Sequence, residues 1–168
     1  MCTSSPETRR WLRDSLATLF SQVKGLGGVF TITMSENLTS CASHNHREDC
    51  PRCKARSVGE IVAEVNATIA EGVAAGDPSA EVIVWNWGWP AGLEDEVFPR
   101  LPKRNCRVMS SSERDMPVTV GGKTVGVRDY AISQVGPGET ALRYWDAAKR
   151  HGLPVVAKVQ ACSSWELS

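Results

Sequence analysis

Apolar residues first recur at helical spacing. Trp11, Leu12, Leu16, Leu19, Phe20 and Val23 follow a 3.6-residue period behind a Ser4-Ser5-Pro6-Glu7 start, and the pattern stops at Gly25-Leu26-Gly27-Gly28. The period then changes: Val29 to Met34 (VFTITM) is a short apolar and β-branched run that predicts a strand. Ser57 predicts the cap of a second helix bearing Val58, Ile61, Val62, Val65, Ile69 and Val73, ended by Gly76-Asp77-Pro78. Val82 to Trp85 opens a second strand and runs into the aromatic stretch WNWGWP. A short helix at about 93–101 and a third strand from Cys106 to Met109 come next. PVTVGGKTVGV predicts a hairpin turning at Gly121-Gly122. Gly138 opens a helix with Ala141, Leu142, Trp145 and Ala148 that stops at Gly152, and Pro154 to Ala161 is a fourth strand.

The order is therefore α-β-α-β-α-β-hairpin-α-β. Helices alternating with nearly continuous apolar strands predict an α/β fold: a parallel sheet of about four strands with crossover helices. The chain opens on a helix and stops just after a strand. A complete (β/α)8 barrel needs roughly 250 residues, so this pattern predicts a partial (β/α)8 TIM barrel, a fragment or truncated product. Residues 1–168 form its single domain, with a Cys/His-rich loop at 37–56 and a hairpin insertion at 117–128. A small open four-stranded α/β domain fits the same pattern.

Composition changes this picture little. At 42% hydrophobic and 23% charged residues with zero formal net charge, the chain carries no basic field for nucleic acid or an anionic membrane. Its longest apolar runs, VIVW and LPVVA, are far too short to span a bilayer. The polar N-terminus lacks the apolar core of a secretory signal, which makes cytoplasmic the default location and a reduced or metal-bound state the expectation for the six cysteines. Asn37-Leu38-Thr39 and Asn66-Ala67-Thr68 match the glycosylation sequon, a triplet common by chance.

In parallel α/β folds, active groups gather at the C-terminal ends of strands, where the βα loops converge. That rule selects Ser35, Glu36 and Asn37; Asn86, Trp87 and Trp89; Ser110 to Glu113; and Ser164, Trp165 and Glu166. Glu36 and Glu166 end the first and fourth strands, with aromatic side chains on the same rim. Two carboxylates between aromatic walls suit glycoside chemistry. The aromatic faces stack on sugar C–H surfaces while the carboxyl groups share proton transfer and nucleophilic or electrostatic work. The plainer reading makes the glutamates caps or solvated loop residues and the tryptophans packing.

Three stretches strengthen the first reading. TMSEN…CPRCKA, GVRDYAISQVGPG with the following RYWDAAKRHGLPVVAKVQ, and the closing SSWELS resemble segments of bacterial proteins related to TIM-barrel glycoside hydrolases, in the β-N-acetylhexosaminidase-like neighbourhood. The resemblance implies a carbohydrate substrate, a barrel covering most of the chain, Glu36 as acid/base and Glu166 as its partner carboxylate. Asn37, Asn86, Trp87, Trp89 and Trp165 would then contact the sugar. One departure stands out: many barrel glycosidases place Asn or Asp directly before the acid Glu, whereas here Ser35 precedes it and Asn37 follows. A half-barrel would also leave two open sheet edges for self-association.

Cys41, His44, His46, Cys50 and Cys53 follow C-x2-H-x-H-x3-C-x2-C. Cys50-Pro51-Arg52-Cys53 is a knuckle that places two thiolates on one tight turn, and Zn2+ takes four such ligands tetrahedrally. Cys41, His44, Cys50 and Cys53 are the expected set for a structural zinc. A disulfide or metal-free CxxC, and plain solvated residues, are the competing readings, with a thioredoxin-like role a weaker one. A non-catalytic, zinc-stabilised α/β binding domain is thus the alternative to the hydrolase. Cys2, Cys106 and Cys162 are too scattered to interpret, and His151 reads as a helix C-terminal partner. The glycines before the first strand give no dinucleotide fingerprint, no Walker A motif occurs, and Ser110-Ser111-Ser112 lacks a nucleophile elbow. No organic cofactor is expected.

Overall fold

In the computed structural model, which describes residues 2–127 and 135–159, the predicted elements appear in the predicted order. Helix α1 (Pro6–Gln22) leads to strand β1 (Gly28–Ile32), helix α2 (Val58–Gly76) and strand β2 (Glu81–Trp85). Helix α3 (Leu93–Val97), extended by a 3-10 turn at Phe98–Arg100, precedes strand β3 (Cys106–Ser111). The hairpin β4 (Pro117–Val120) and β5 (Lys123–Gly126), helix α4 (Glu139–Arg150) and strand β6 (Val155–Lys158) complete the order. Local chemistry explains the boundaries. Ser57 Oγ accepts from Glu60 N–H while Glu60 Oε2 accepts from Ser57 N–H, each at 3.0 Å. This reciprocal box satisfies two otherwise orphaned donors at the start of α2. Gly121 and Gly122 both take positive φ, the conformation that a two-residue turn between right-twisted strands requires.

Strands β1, β2, β3 and β6 form one parallel sheet in that order, and β4–β5 form a separate two-stranded ribbon. The helices lie in the same sequence, α1 on α2, α2 on α3 and α3 on α4. Strand alternation shows which face they cover. Val82, Val84, Cys106 and Val108 are buried in one core with Ile61, Val62, Val73, Val97 and Phe98 of the helix layer. Their neighbours Ile83, Arg107 and Met109 are only half-buried, and Phe30 is 57% exposed. One face of the sheet is thus packed under helices, and no described helix covers the other, where Trp85 is nonetheless only 7% exposed. Strands β1 and β6 are its edges among the described residues.

One expectation changes. The apolar stripe of α1 is only partly used: Phe20 is buried, whereas Trp11, Leu19 and Val23 are exposed, because α1 packs mainly on α2 at the end of the helix row. The Asn66 triplet, set aside above as chance, lies in the core. Asn66 is fully buried in α2, where it accepts from Thr31 Oγ1 at 2.7 Å and donates to the Val62 carbonyl at 2.9 Å. Replacing it by alanine leaves the Thr31 hydroxyl without that partner. Asn66→Ala is expected to cost about 1–3 kcal/mol, read as a lower urea midpoint with an unchanged slope.

Candidate metal centre and strand-end rim

The segment after β1 is pinned back on the strand it leaves. Thr39 Oγ1 and Ser43 Oγ both donate to the Thr33 carbonyl, at 2.7 and 3.3 Å. Arg47 donates to the Arg56 carbonyl at 3.0 Å, closing the loop before α2. A second anchor is the N-terminus. Cys53 Sγ donates to Ser4 Oγ at 3.2 Å, and Arg56 reaches both Ser4 and Glu64 of α2. Arg9 of α1 pairs with the same Glu64. These ties bring Cys2 to the loop.

The consequence is a four-thiol group. The Sγ atoms of Cys2, Cys41, Cys50 and Cys53 all lie within 4.8 Å of one another. Cys2 stands 3.5 Å from Cys50 and 3.6 Å from Cys53, and all four are free thiols. A tetrahedral centre with Zn–S bonds of about 2.3 Å needs S···S edges of roughly 3.8 Å, so the donor set fits a soft cation with little movement. The thiols also differ from one another. Cys50 is drawn down to about 6, chiefly by the Arg52 backbone N–H directed at its sulfur, with help from Cys2 and the Cys53 amide. Burial pushes Cys41 and Cys53 up, and for Cys41 the hydrogen bonds with its fellow thiols add to the rise. A lowered Cys50 beside a raised Cys41 and Cys53 is an arrangement that a cation completes, because it stabilises the sulfurs it binds in the ionised form. The four sulfurs can hold one metal ion.

This corrects the expected ligand set. His44 does not join the sulfurs: its exposed ring places Nε2 2.9 Å from the Glu36 carbonyl oxygen. Cys2, left unassigned from the sequence, takes the fourth corner. Three clustered cysteines wanting a fourth soft ligand were the available hint, but no spacing rule reaches across 39 residues to Cys2. Cys106 is a buried strand cysteine whose thiol burial pushes up to about 12.

The C-terminal ends of the strands form the second candidate site. Glu36 and Asn37 are exposed. Ser35 Oγ donates to Glu36 Oε2 at 2.5 Å. That bond, with the residue's own backbone N–H, holds the Glu36 carboxyl below the usual carboxylate range. Trp89, expected on a sugar wall, is instead a core residue: its indole N–H donates to Thr33 Oγ1 at 3.3 Å and its ring meets Phe98 at 6.1 Å. Trp87 stays half-buried at the rim, 6.2 Å from Trp85. Asn86 is buried beside Ser110, its N–H bonded to the Met109 carbonyl at 3.1 Å.

Several side chains at this end are shielded from solvent without a hydrogen-bond partner among the described residues: Asn86 Oδ1, Ser110 Oγ, Ser111 Oγ, Glu113 Oε1 and the indole nitrogens of Trp85 and Trp87. Each such group costs roughly 1–3 kcal/mol unless water or a ligand serves it. Glu113 is the carboxylate that the sequence passed over in favour of Glu36, although the strand-end rule includes it. Its burial, 1% exposed, has no signature in the run SSSERD. Trp165 and Glu166, like Asp129, Tyr130 and Cys162, lie outside the described residues.

Among the described residues no helix is long and apolar enough to cross a membrane. Compared with protein-family models, curated proteins and solved structures, the chain finds no match.

Proposed function

We propose that the chain is a metal-clasped α/β domain in which Cys2, Cys41, Cys50 and Cys53 hold one structural Zn2+. The observation that carries this reading is the convergence of four sulfurs, from the N-terminus and from one loop, to within 4.8 Å. Thiolates of this number favour zinc over hard cations, and four protein ligands close the coordination sphere against water, which makes the role structural. The clasp joins the start of α1 to the loop that leaves β1, so it fixes the wall beside Glu36. Elemental analysis of the purified chain tests it. One zinc per chain, absent from the Cys2→Ser variant, is the expected result; a full-length chain without zinc after chelator-free purification and zinc addition refutes it.

The second reading is a glycoside-cleaving domain belonging to a (β/α)8 barrel. It is favoured by parallel strands in sequential order under a single helix layer, with carboxyl, amide and indole groups at their C-terminal ends. The Ser35 hydrogen bond keeps Glu36 ionised. Glu36 would therefore act as base or charge-stabilising carboxylate, with the proton donor elsewhere. The edge strands β1 and β6 would pair with further strands or a second chain. On this reading Glu36→Gln lowers the hydrolysis of nitrophenyl glycosides by roughly 10²–10⁴-fold with the melting midpoint unmoved. Full activity in that variant removes Glu36 from the chemistry.

A further inference from the structure

The two ends of the sheet differ in a complementary way. Helix α4, the crossover from β3 to β6, touches both of those strands. Helix α1 leads into β1 in the same manner, but β1 is an edge among the described residues, so that junction has only one strand. The side of α1 turned from the core shows it: Trp11, Leu19 and Val23 are exposed, Trp11 by 60%. At the other end a groove stands where a further crossover helix would pack. Val155 pairs with Val108, whose side chain is buried under the helices, yet Val155 itself is exposed. With Leu142 and Trp145 of α4, and with Leu153 and Pro154, it lines a groove of about 510 Å3. The Trp145 indole nitrogen is shielded from solvent there without a hydrogen-bond partner among the described residues.

We infer that two copies of this chain close on each other as a two-fold dimer. In it β6 of each copy pairs in parallel with β1 of the other, and α1 of that other copy lays its Trp11 side into the groove beside α4. The junction continues both the sheet and the helix row without a break. Four helix–strand units from each copy make a ring of eight parallel strands, the number at which side chains just fill the interior. The face turned inward suits that role. Phe30 and Ile32, Ile83, Met109 and Val156 share it by register, whereas a sheet face left in water alternates to polar residues. Glu81 and Arg107 on the same face already pair with each other at 2.6 Å, and Lys158 is the last residue of β6. An unrelated strand added to β6 would leave β1 and the Trp11 side of α1 bare. A second copy covers both ends at once, because each end supplies what the other lacks.

Analytical ultracentrifugation of the zinc-loaded full chain tests it, with a dimer expected at roughly 10 µM. Trp11→Glu and Leu142→Glu each place an unpaired charge in a junction, and two-fold symmetry places it in both. Each is expected to weaken the dimer about a hundredfold, tenfold per junction. Both side chains are exposed in the single chain, so the melting midpoint of the dilute monomer should not move. Val120→Glu, at an equally exposed position on the β4–β5 ribbon, is expected to leave the dimer intact. Amide hydrogen exchange along Gly28–Ile32 and Val155–Lys158 should slow as protein concentration rises, a readout that needs no variant. A monomer at about 0.1 mM overturns the inference, as do open-ended polymers in place of a closed dimer. So does a dimer indifferent to both Trp11→Glu and Leu142→Glu, or one lost in Val120→Glu. The inference rests on the barrel reading above but not on its chemistry. A dimer without glycosidase activity supports closure and refutes the enzyme, and a monomer that cleaves nitrophenyl glycosides does the reverse.

Discussion

On the proposed zinc clasp, removing the metal or replacing Cys53 by serine is expected to lower the thermal midpoint of the zinc-loaded chain by about 8–16 °C. A ligand held at roughly 1,000 times its Kd contributes about 4 kcal/mol to the folded state, and a domain of this size moves by roughly 2–4 °C per kcal/mol. The loss is not spread over the whole fold. It falls on the N-terminus and the loop between β1 and α2, which carry all four sulfurs, whereas the core between α2, α3 and the sheet stands on its own apolar packing. Cys2→Ser should therefore cost as much as Cys53→Ser, despite standing at the chain start, and His44→Ala should cost little. Equal and large effects at His44, with none at Cys2, would return the site to the ligand set expected from spacing alone.

The same contribution depends on pH in a defined direction. Burial raises the thiols of Cys41 and Cys53 above the ordinary value, so both are protonated at neutral pH and must release a proton when metal binds. At least two released protons make affinity fall roughly a hundredfold or more for each unit of acidification. The zinc contribution is thus fully present at mildly alkaline pH and lost as pH falls. Scanning calorimetry at pH 8 and pH 6 with a fixed zinc excess reads this as a wider gap between loaded and stripped protein at pH 8.

A second large effect is expected at Gly72. In an exposed helix interior, a larger residue in place of glycine usually stabilises by a few tenths to about 1 kcal/mol. Here the sign reverses. A Cβ at Gly72 would stand 2.6 Å from the Arg13 carbonyl oxygen and 2.9 Å from Leu16 Cβ, and at Gly76 2.4 Å from the Ala17 carbonyl oxygen. The two carbonyl oxygens are backbone atoms of α1 and cannot swing aside, and Leu16 Cβ is fixed directly to that backbone, so α1 must lift off α2. Gly72→Val is expected to cost about 3 kcal/mol, at the upper end of overpacking effects, or roughly 6–12 °C in the midpoint. Gly27→Ala, where a Cβ meets nothing within 4 Å, is the control and should stay within about 0.5 kcal/mol. Because α1 also carries the segment that ends in Cys2, Gly72→Val should weaken zinc binding as well, which separates a helix-packing effect from a local one.

The sequence by itself determined the order of elements, the parallel sheet and the knuckle at Cys50 and Cys53, because periodicity, caps and turn glycines are written over a few neighbouring residues. Ser57 with Glu60, and Gly121 with Gly122, are such local signals. Only the tertiary structure decided the rest. Cys2 joins the thiol group through Ser4, Arg9, Arg56 and Glu64, contacts that, Arg56–Glu64 apart, span 49 to 55 residues and have no period. Trp87 and Trp89 share one motif, yet Phe98 and Thr33 draw Trp89 into the core and leave Trp87 at the rim. Asn66 shows no local sign of burial until Thr31 is folded against it. Glu113 and Glu36 both follow strands, but one is buried and one exposed. The physical reason is common to all four: local backbone preference depends on near neighbours, whereas ligation, burial and hydrogen-bond satisfaction depend on which distant side chains the packed core brings alongside.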